Sequence, residues 1–145
     1  MRAVVEREGP IYASVLARRV AGAWGVTRMT DRVCDVVSAA VPSDIGISTH
    51  GTGGVYWPSG VDPESYKGYR IPSSDPASKR AIDEIPLEEI RNAMRDMLAD
   101  FGTCPKEDLY RETMKTFGYA STTPKSRTYL DAAFSMLPRD IRGCV

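Results

Sequence analysis

The stretch Gly9-Pro10-Ile11, with Leu16 and then Trp24-Gly25-Val26 after it, returns later in the chain as Gly102-Thr103-Cys104, Leu109 and Phe117-Gly118-Tyr119. The spacing is constant: Gly meets Gly twice, Leu meets Leu, and an aromatic ring precedes the second Gly each time. A repeat of this kind means one supersecondary unit built twice, so it decides the architecture before any local propensity is weighed. Each copy makes the same physical sense. A Gly ends one helix, a short extended piece follows, a second helix starts, and an aromatic-Gly pair closes it. Gly25 and Gly118 stand where a left-handed helix cap is wanted.

A third helix is legible after each cap. Its apolar spacing is Val33, Val36, Val37 and Ala40 in the first copy and Leu130, Ala133, Phe134 and Leu137 in the second, the stripe of one buried helical face. Aligning these stripes predicts about four extra residues in the second copy, within Ala120-Ser121-Thr122-Thr123-Pro124, where a turn tolerates insertion. The first helix of the second copy is announced by Pro86 and by Glu88 and Glu89, which favour a helix start. Its apolar face is Ile90, Ala93, Met94, Met97, Leu98 and Phe101. The first-copy counterpart, around Val4 and Val5 in residues 2–8, looks shortened, which suggests a fragment of a longer protein.

Ile45-Gly46-Ile47-Ser48-Thr49 and Val55-Tyr56-Trp57 read as two short strands about the reversal His50-Gly51-Thr52-Gly53-Gly54. Three helices followed by a hairpin is the winged-helix pattern. Residues 58–81 hold Pro58, Pro63, Pro72 and Pro76, too many breakers for a packed helix, and read as a linker. The expected fold is therefore mainly α with a small β-hairpin, as two tandem winged-helix-like three-helix units. Residues 1–57 form the first unit with its wing, 58–81 a Pro/Ser-rich linker, and 82–145 a second unit lacking a full wing.

Composition narrows the function. Nineteen basic and 19 acidic residues give a formal net charge of zero, so long-range attraction to a polyanion is absent and any such contact needs a local patch. No apolar run approaches the roughly 20 residues of a membrane span, and Met1–Glu8 lacks the apolar core of a secretory signal, so a cytoplasmic chain with no membrane partner is expected. Cys34, Cys104 and Cys144 are widely spaced, lack C-x-x-C pairing, and read as unpaired thiols.

Glu8-Gly9-Pro10-Ile11, Leu16-Ala17-Arg18-Arg19-Val20-Ala21, Ala23-Trp24-Gly25-Val26 and Val55-Tyr56-Trp57-Pro58 resemble a known family, domain of unknown function 3320. The resemblance extends to Arg80-Ala81-Ile82-Asp83-Glu84-Ile85-Pro86 and the helix after it. It implies a place near the C-terminus of large bacterial proteins that look like superfamily I DNA helicases, often after a restriction-endonuclease-like segment. Partners implied are DNA and the other domains of that helicase-like parent. The shared positions are structural and assign no catalytic role. Ser14-Val15 and the Thr-rich sequence after Tyr119 depart from the family pattern without removing one.

No catalytic constellation emerges, and neither an enzymatic activity nor a cofactor is expected. His50, the single histidine, sits in a Gly-rich reversal, and His50-Gly51-Thr52-Gly53-Gly54 lacks the Lys-Ser/Thr ending and following helix of a phosphate loop. Asp83-Glu84 and Glu88-Glu89 fit a helix start better than a metal site. Trp24 and Phe117, at equivalent places, are expected to plug the angle between the second and third helices. Trp57, after the wing and before Pro58, is open to linker packing or to contact with a base or a partner.

Nucleic-acid contact would fall to the third helix and wing. With Thr27 as N-cap, Arg28 and Arg32 share one face, and Arg28, Thr30 and Arg32 stand forward. Lys125, Ser126 and Arg127 hold the corresponding place in the second copy, and Arg18 and Arg19 offer phosphate contacts. Asp31 and Asp35 oppose a positive surface. Two functions are thus expected: DNA contact through the first unit, or protein-protein or intramolecular docking without nucleic acid.

Overall fold

The computed structural model describes residues 1–143 and 145, in two compact units, Met1–Tyr66 and Lys67–Val145. Both are helical at heart, and the first adds a small antiparallel sheet. The stretch expected as a linker divides between them: residues 58–66 belong to the first unit and 67–81 to the second.

In the first unit the elements run α1 (Arg2–Glu8), β1 (Ile11–Tyr12), α2 (Ala13–Ala23), α3 (Asp31–Ala39), β2 (Gly46–His50) and β3 (Gly53–Trp57). The sheet order is β1-β3-β2, with Ile11 opposite Tyr56 and His50 opposite Gly53, so the hairpin turns on Gly51 and Thr52 alone. The short extended piece after Gly9 is thus a third strand on the expected hairpin. Gly9 is required there, because a Cβ would stand 2.4 Å from the Val5 carbonyl oxygen and 2.8 Å from Pro58 Cδ.

The sheet separates two apolar clusters, as the alternation of side chains along a strand demands. Tyr56 and Ile11 face Val5, Leu16, Ala17, Val20 and Val37 from the helices. Val55, Trp57 and Tyr12 pack on the other side with Val15, Val61 and Tyr66. Trp57 is fully buried, its ring edge-on to Tyr66 at 5.1 Å and its Nε1 donating to Ser48 Oγ at 2.9 Å.

The second unit opens with an irregular segment, 67–81, holding one 3₁₀ turn at Pro76–Ser78. A second 3₁₀ turn follows at Ile82–Glu84, then α4 (Leu87–Phe101), α5 (Lys106–Thr116), α6 (Pro124–Ser135) and α7 (Arg139–Arg142). Ile90, Ala93, Met94 and Leu98 of α4 pack on Leu109, Tyr110 and Met114 of α5 and Leu130 and Ala133 of α6. Phe101 departs from the expected apolar face of α4 and is 73 % exposed. No strand occurs among the described residues of this unit.

The repeat is tighter than the sequence suggested. Helices α2 and α5 both have 11 residues, and both are followed by a Gly at positive φ, Gly25 at 76° and Gly118 at 87°. The third helices are capped at matching positions: Thr30 Oγ1 accepts from the Val33 N–H, and Thr123 Oγ1 from the Ser126 N–H. The caps lie at the same distance from Gly25 and Gly118, so the expected four-residue insertion does not exist. A stripe with a period of 3.6 residues falls nearly on itself when slid by one turn, which is why apolar spacing misplaced the alignment. At the corrected spacing the buried positions pair off as Val5 with Leu98, Leu16 with Leu109, Ala17 with Tyr110, Ala21 with Met114 and Val37 with Leu130.

What differs is how segment 67–81 lies on α4. The Glu89 carboxylate, fully buried, accepts from the Arg70 backbone N–H at 2.8 Å and side chain Nη2 at 2.5 Å, and from Arg80 Nη1 at 2.9 Å and Nη2 at 2.8 Å. Asn92 Nδ2 donates to the Gly68 carbonyl at 2.9 Å, and the Tyr119 hydroxyl to the Arg80 carbonyl at 2.5 Å. A carboxylate expected only to favour a helix start is instead the anchor of this segment. Burial pushes the Glu89 pKa upward, but the hydrogen bonds and charges of Arg80 and Arg70 outweigh it and hold the carboxyl below its ordinary range.

Candidate functional site

The N-cap of α3 is Thr30, not Thr27, and this moves the expected forward residues. Thr30 is committed to the cap. Arg28 lies in the bend before the helix and so shares no helical face with Arg32, which sits in the first turn. Both arginines are exposed, and neither has a hydrogen-bond or ion-pair partner among the described residues. Arg18 is exposed on α2, and Arg19 beside it bonds through Nε to Glu8 Oε2 at 3.1 Å.

The corresponding residues of the second unit are engaged within it. Lys125 Nζ bonds Asp83 Oδ2 at 2.8 Å, and the carboxylate raises the pKa of the ammonium. Arg127 pairs with Glu107 through both terminal nitrogens, Nη1 at 3.0 Å, and its hydrogen bond leads the causes that hold the Glu107 carboxyl below its ordinary range. Ser126 is buried and completes the capping box with Thr123. Trp57, buried under Tyr66, offers no face to a base. Its expected availability is corrected by the residues after Pro58, which cover it.

A surface that the sequence reading placed in the core lies between α2 and α3. Trp24 is 68 % exposed and Val36 57 %, whereas Phe117, the second-copy equivalent of Trp24, is 2 % exposed. Trp24, Val26, Val36, Val33, Ala21 and Val37 line a groove of about 240 Å³, and Arg32 stands at its edge as the one charged lining residue. The missed signal was a surplus of apolar side chains. Val36 and Val37 are adjacent on α3, and in the fold Val37 is buried at 3 % exposure while Val36 is left 57 % exposed.

In the second unit the equivalent face is covered. The Tyr69 ring lies edge-on to Phe117 at 6.2 Å and Lys79 Nζ sits 4.2 Å over the Tyr119 ring, both from segment 67–81. A second apolar groove, of about 350 Å³, is lined by Met97, Phe101, Cys104 and Leu109 with Asp108 and Glu112 at its edge.

Among the described residues, no three His, Cys, Asp or Glu side chains converge as a metal site, and no helix is long and apolar enough to cross a membrane. His50 lies at the end of β2. Cys34 and Cys104 are free thiols, and Cys144 lies outside the described residues.

No curated protein and no solved structure matches the chain. The family described as Protein of unknown function (DUF3320) matches residues 1–35 only, which run from α1 into the first turns of α3 and so include Trp24, Arg28 and Arg32. Over those residues, at the start of its first unit, the chain is similar to that family.

Proposed function

We propose that the chain is a non-catalytic accessory module of two winged-helix-like units, and that the first binds a segment of protein in the groove between α2 and α3. The element order α1-β1-α2-α3-β2-β3 and the sheet order β1-β3-β2 support the winged-helix description of that unit. The observation that carries the binding role is the exposure of Trp24 beside Val26 and Val36, where the repeated unit has its equivalent face covered. An aromatic ring left in water beside two aliphatic residues forgoes roughly 25 cal/mol for each Å² that a partner would cover. The family resemblance supplies a source for that partner, the other domains of a helicase-like cytoplasmic parent.

Calorimetry of the chain with the parent's helicase-like and nuclease-like segments, supplied separately, tests the proposal. Binding to one of them is expected, with loss on Trp24→Ala and on Val36→Asp. An inert mixture, or binding indifferent to both changes, overturns it.

DNA contact is the second reading, favoured by Arg28 and Arg32 standing exposed without a carboxylate partner among the described residues. Three features weigh against it. Carboxylates outnumber arginines within Met1–Tyr66, and there is no lysine. The wing turn, Gly51-Thr52, has no cation to meet a phosphate. The α3 helix itself carries Asp31 and Asp35. Fluorescence anisotropy with single-stranded, duplex and forked DNA at low and moderate salt separates the readings. Salt-sensitive binding lost on Arg28→Ala and Arg32→Ala would favour DNA.

A further inference from the structure

The repeat shows what a covered groove looks like in this architecture. At the constant spacing, Trp24 corresponds to Phe117, Val26 to Tyr119, Arg32 to Lys125 and Val36 to Tyr129. In the second unit this face is covered by the irregular segment that precedes α4. Tyr69 meets Phe117 edge to face, with the rings inclined at 66°. Pro72 lies against Gly118, close enough that a Cβ there would be 3.1 Å from Pro72 Cγ. Lys125, the counterpart of Arg32, is neutralised by Asp83 from the end of the same stretch. One ring and one proline on extended chain, and one carboxylate on the 3₁₀ turn Ile82–Glu84, complete the face.

The first unit presents the same floor and a cation at the same place, with none of these three in place among the described residues. The groove lining is apolar apart from Arg32, and Arg28 adds a second exposed positive charge in the bend before α3. From this equivalence, and resting on the docking role proposed above, we infer that the groove between α2 and α3 accepts an extended, proline-containing peptide that lays an aromatic ring on Trp24 and a carboxylate on Arg32. An acidic side chain is selected because the groove edge is cationic. A largely extended backbone is selected because residues 67–84 cover the equivalent face with only two three-residue 3₁₀ turns and no α-helix.

Binding in trans is weaker than the internal example. A free peptide must be ordered as it binds, a cost that the internal segment, already tethered to its own unit, does not bear at that step. Val26 also lacks the hydroxyl with which Tyr119 holds the Arg80 carbonyl.

The test uses a fluorescein-labelled synthetic peptide of residues 67–85, Lys-Gly-Tyr-Arg-Ile-Pro-Ser-Ser-Asp-Pro-Ala-Ser-Lys-Arg-Ala-Ile-Asp-Glu-Ile, titrated by anisotropy with the full chain. Saturable binding is expected, weakened about tenfold by Trp24→Ala in the protein, since the aromatic contact and its burial are lost together. Reversing one charge, Arg32→Glu in the protein or Asp83→Lys in the peptide, should weaken binding about threefold, as a partly exposed pair allows. Combining both reversals should restore it. Dependence on Trp24 assigns the binding to the first unit, and unchanged circular dichroism of each variant shows that its fold is intact.

Absence of saturable binding, binding insensitive to Trp24→Ala, or failure of the charge swap to restore affinity overturns the inference. If the peptide fails while a parent segment still binds in a Trp24-dependent way, the inference falls and the docking role stands. If both fail, the docking role falls too. Duplex DNA binding that needs Arg28 and Arg32, with no peptide binding, makes the groove edge a nucleic-acid contact and also overturns the inference.

Discussion

Replacing Glu89 by glutamine keeps the shape of the side chain and removes the charge on which segment 67–81 is hung. Both carboxylate oxygens accept from Arg70 and Arg80, with the shortest bond at 2.5 Å, and the glutamate side chain has no solvent exposure. Removing one member of a buried ion pair costs about 3–5 kcal/mol. The arginine side chains are 40 % and 21 % exposed and recover part of their hydration, which places the change at the lower end, about 3 kcal/mol.

The assay can be confined to one unit. Both tryptophans, Trp24 and Trp57, lie in Met1–Tyr66, so tryptophan fluorescence follows the first unit during urea unfolding while far-ultraviolet circular dichroism also follows the helices of the second. The variant should lose stability in the dichroism transition assigned to the second unit and free Arg80, half-buried in the wild type, for faster cleavage by trypsin. The pH dependence carries the sign. The Glu89 pKa is depressed in the folded state, so its contribution is complete above the ordinary glutamate value of about 4.3 and is lost as pH falls through the lower folded value. The gap between wild type and variant should therefore shrink in acid. A loss below about 1 kcal/mol at neutral pH, or a gap that does not narrow in acid, would refute the assigned role of the buried carboxylate.

Three further outcomes follow from the same structure. Phe117→Ala should cost about 3–5 kcal/mol in the second unit, and Trp24→Ala should change the stability of the first by no more than about 0.5 kcal/mol, both read by urea unfolding. Thr30→Ala and Thr123→Ala should each cost about 1 kcal/mol through the lost N-cap, and equal costs would support the equivalence of the two third helices. Tyr110 is pushed well above the ordinary tyrosine range, first by burial and then by its 2.5 Å hydrogen bond to Asp131. The folded state therefore favours its neutral form. That stability is fully present below about pH 10 and is lost as pH climbs toward the raised value, so Tyr110→Phe should blunt the alkaline decline in a denaturant series.

The sequence by itself determined the repeat and most of its elements. Gly25 and Gly118 marked left-handed caps, because only glycine adopts that backbone without strain. The Gly-rich reversal between Ile47 and Val55 marked the hairpin, and α4 was visible from Pro86 and its apolar face. The strand at Ile11–Tyr12 was not, because two residues have no periodicity and gain their identity only from pairing with Val55 and Tyr56. Register along a helix was equally opaque. A stripe slid by one turn looks the same, and it took the threonine caps to show that the copies match without insertion.

The candidate site depended on tertiary structure most of all. Trp24 and Phe117 are equivalent in sequence and opposite in exposure, because Tyr69 packs on Phe117 and the described residues of the first unit place no ring on Trp24. Arg32 and Lys125 are equivalent cations, and Asp83 reaches only the second. Local pattern sets which residues share a face. Whether that face is covered depends on segments distant in the chain, such as 67–81, whose proline-rich sequence looked like a linker and which is held by the buried Glu89 carboxylate together with Asn92 and Tyr119.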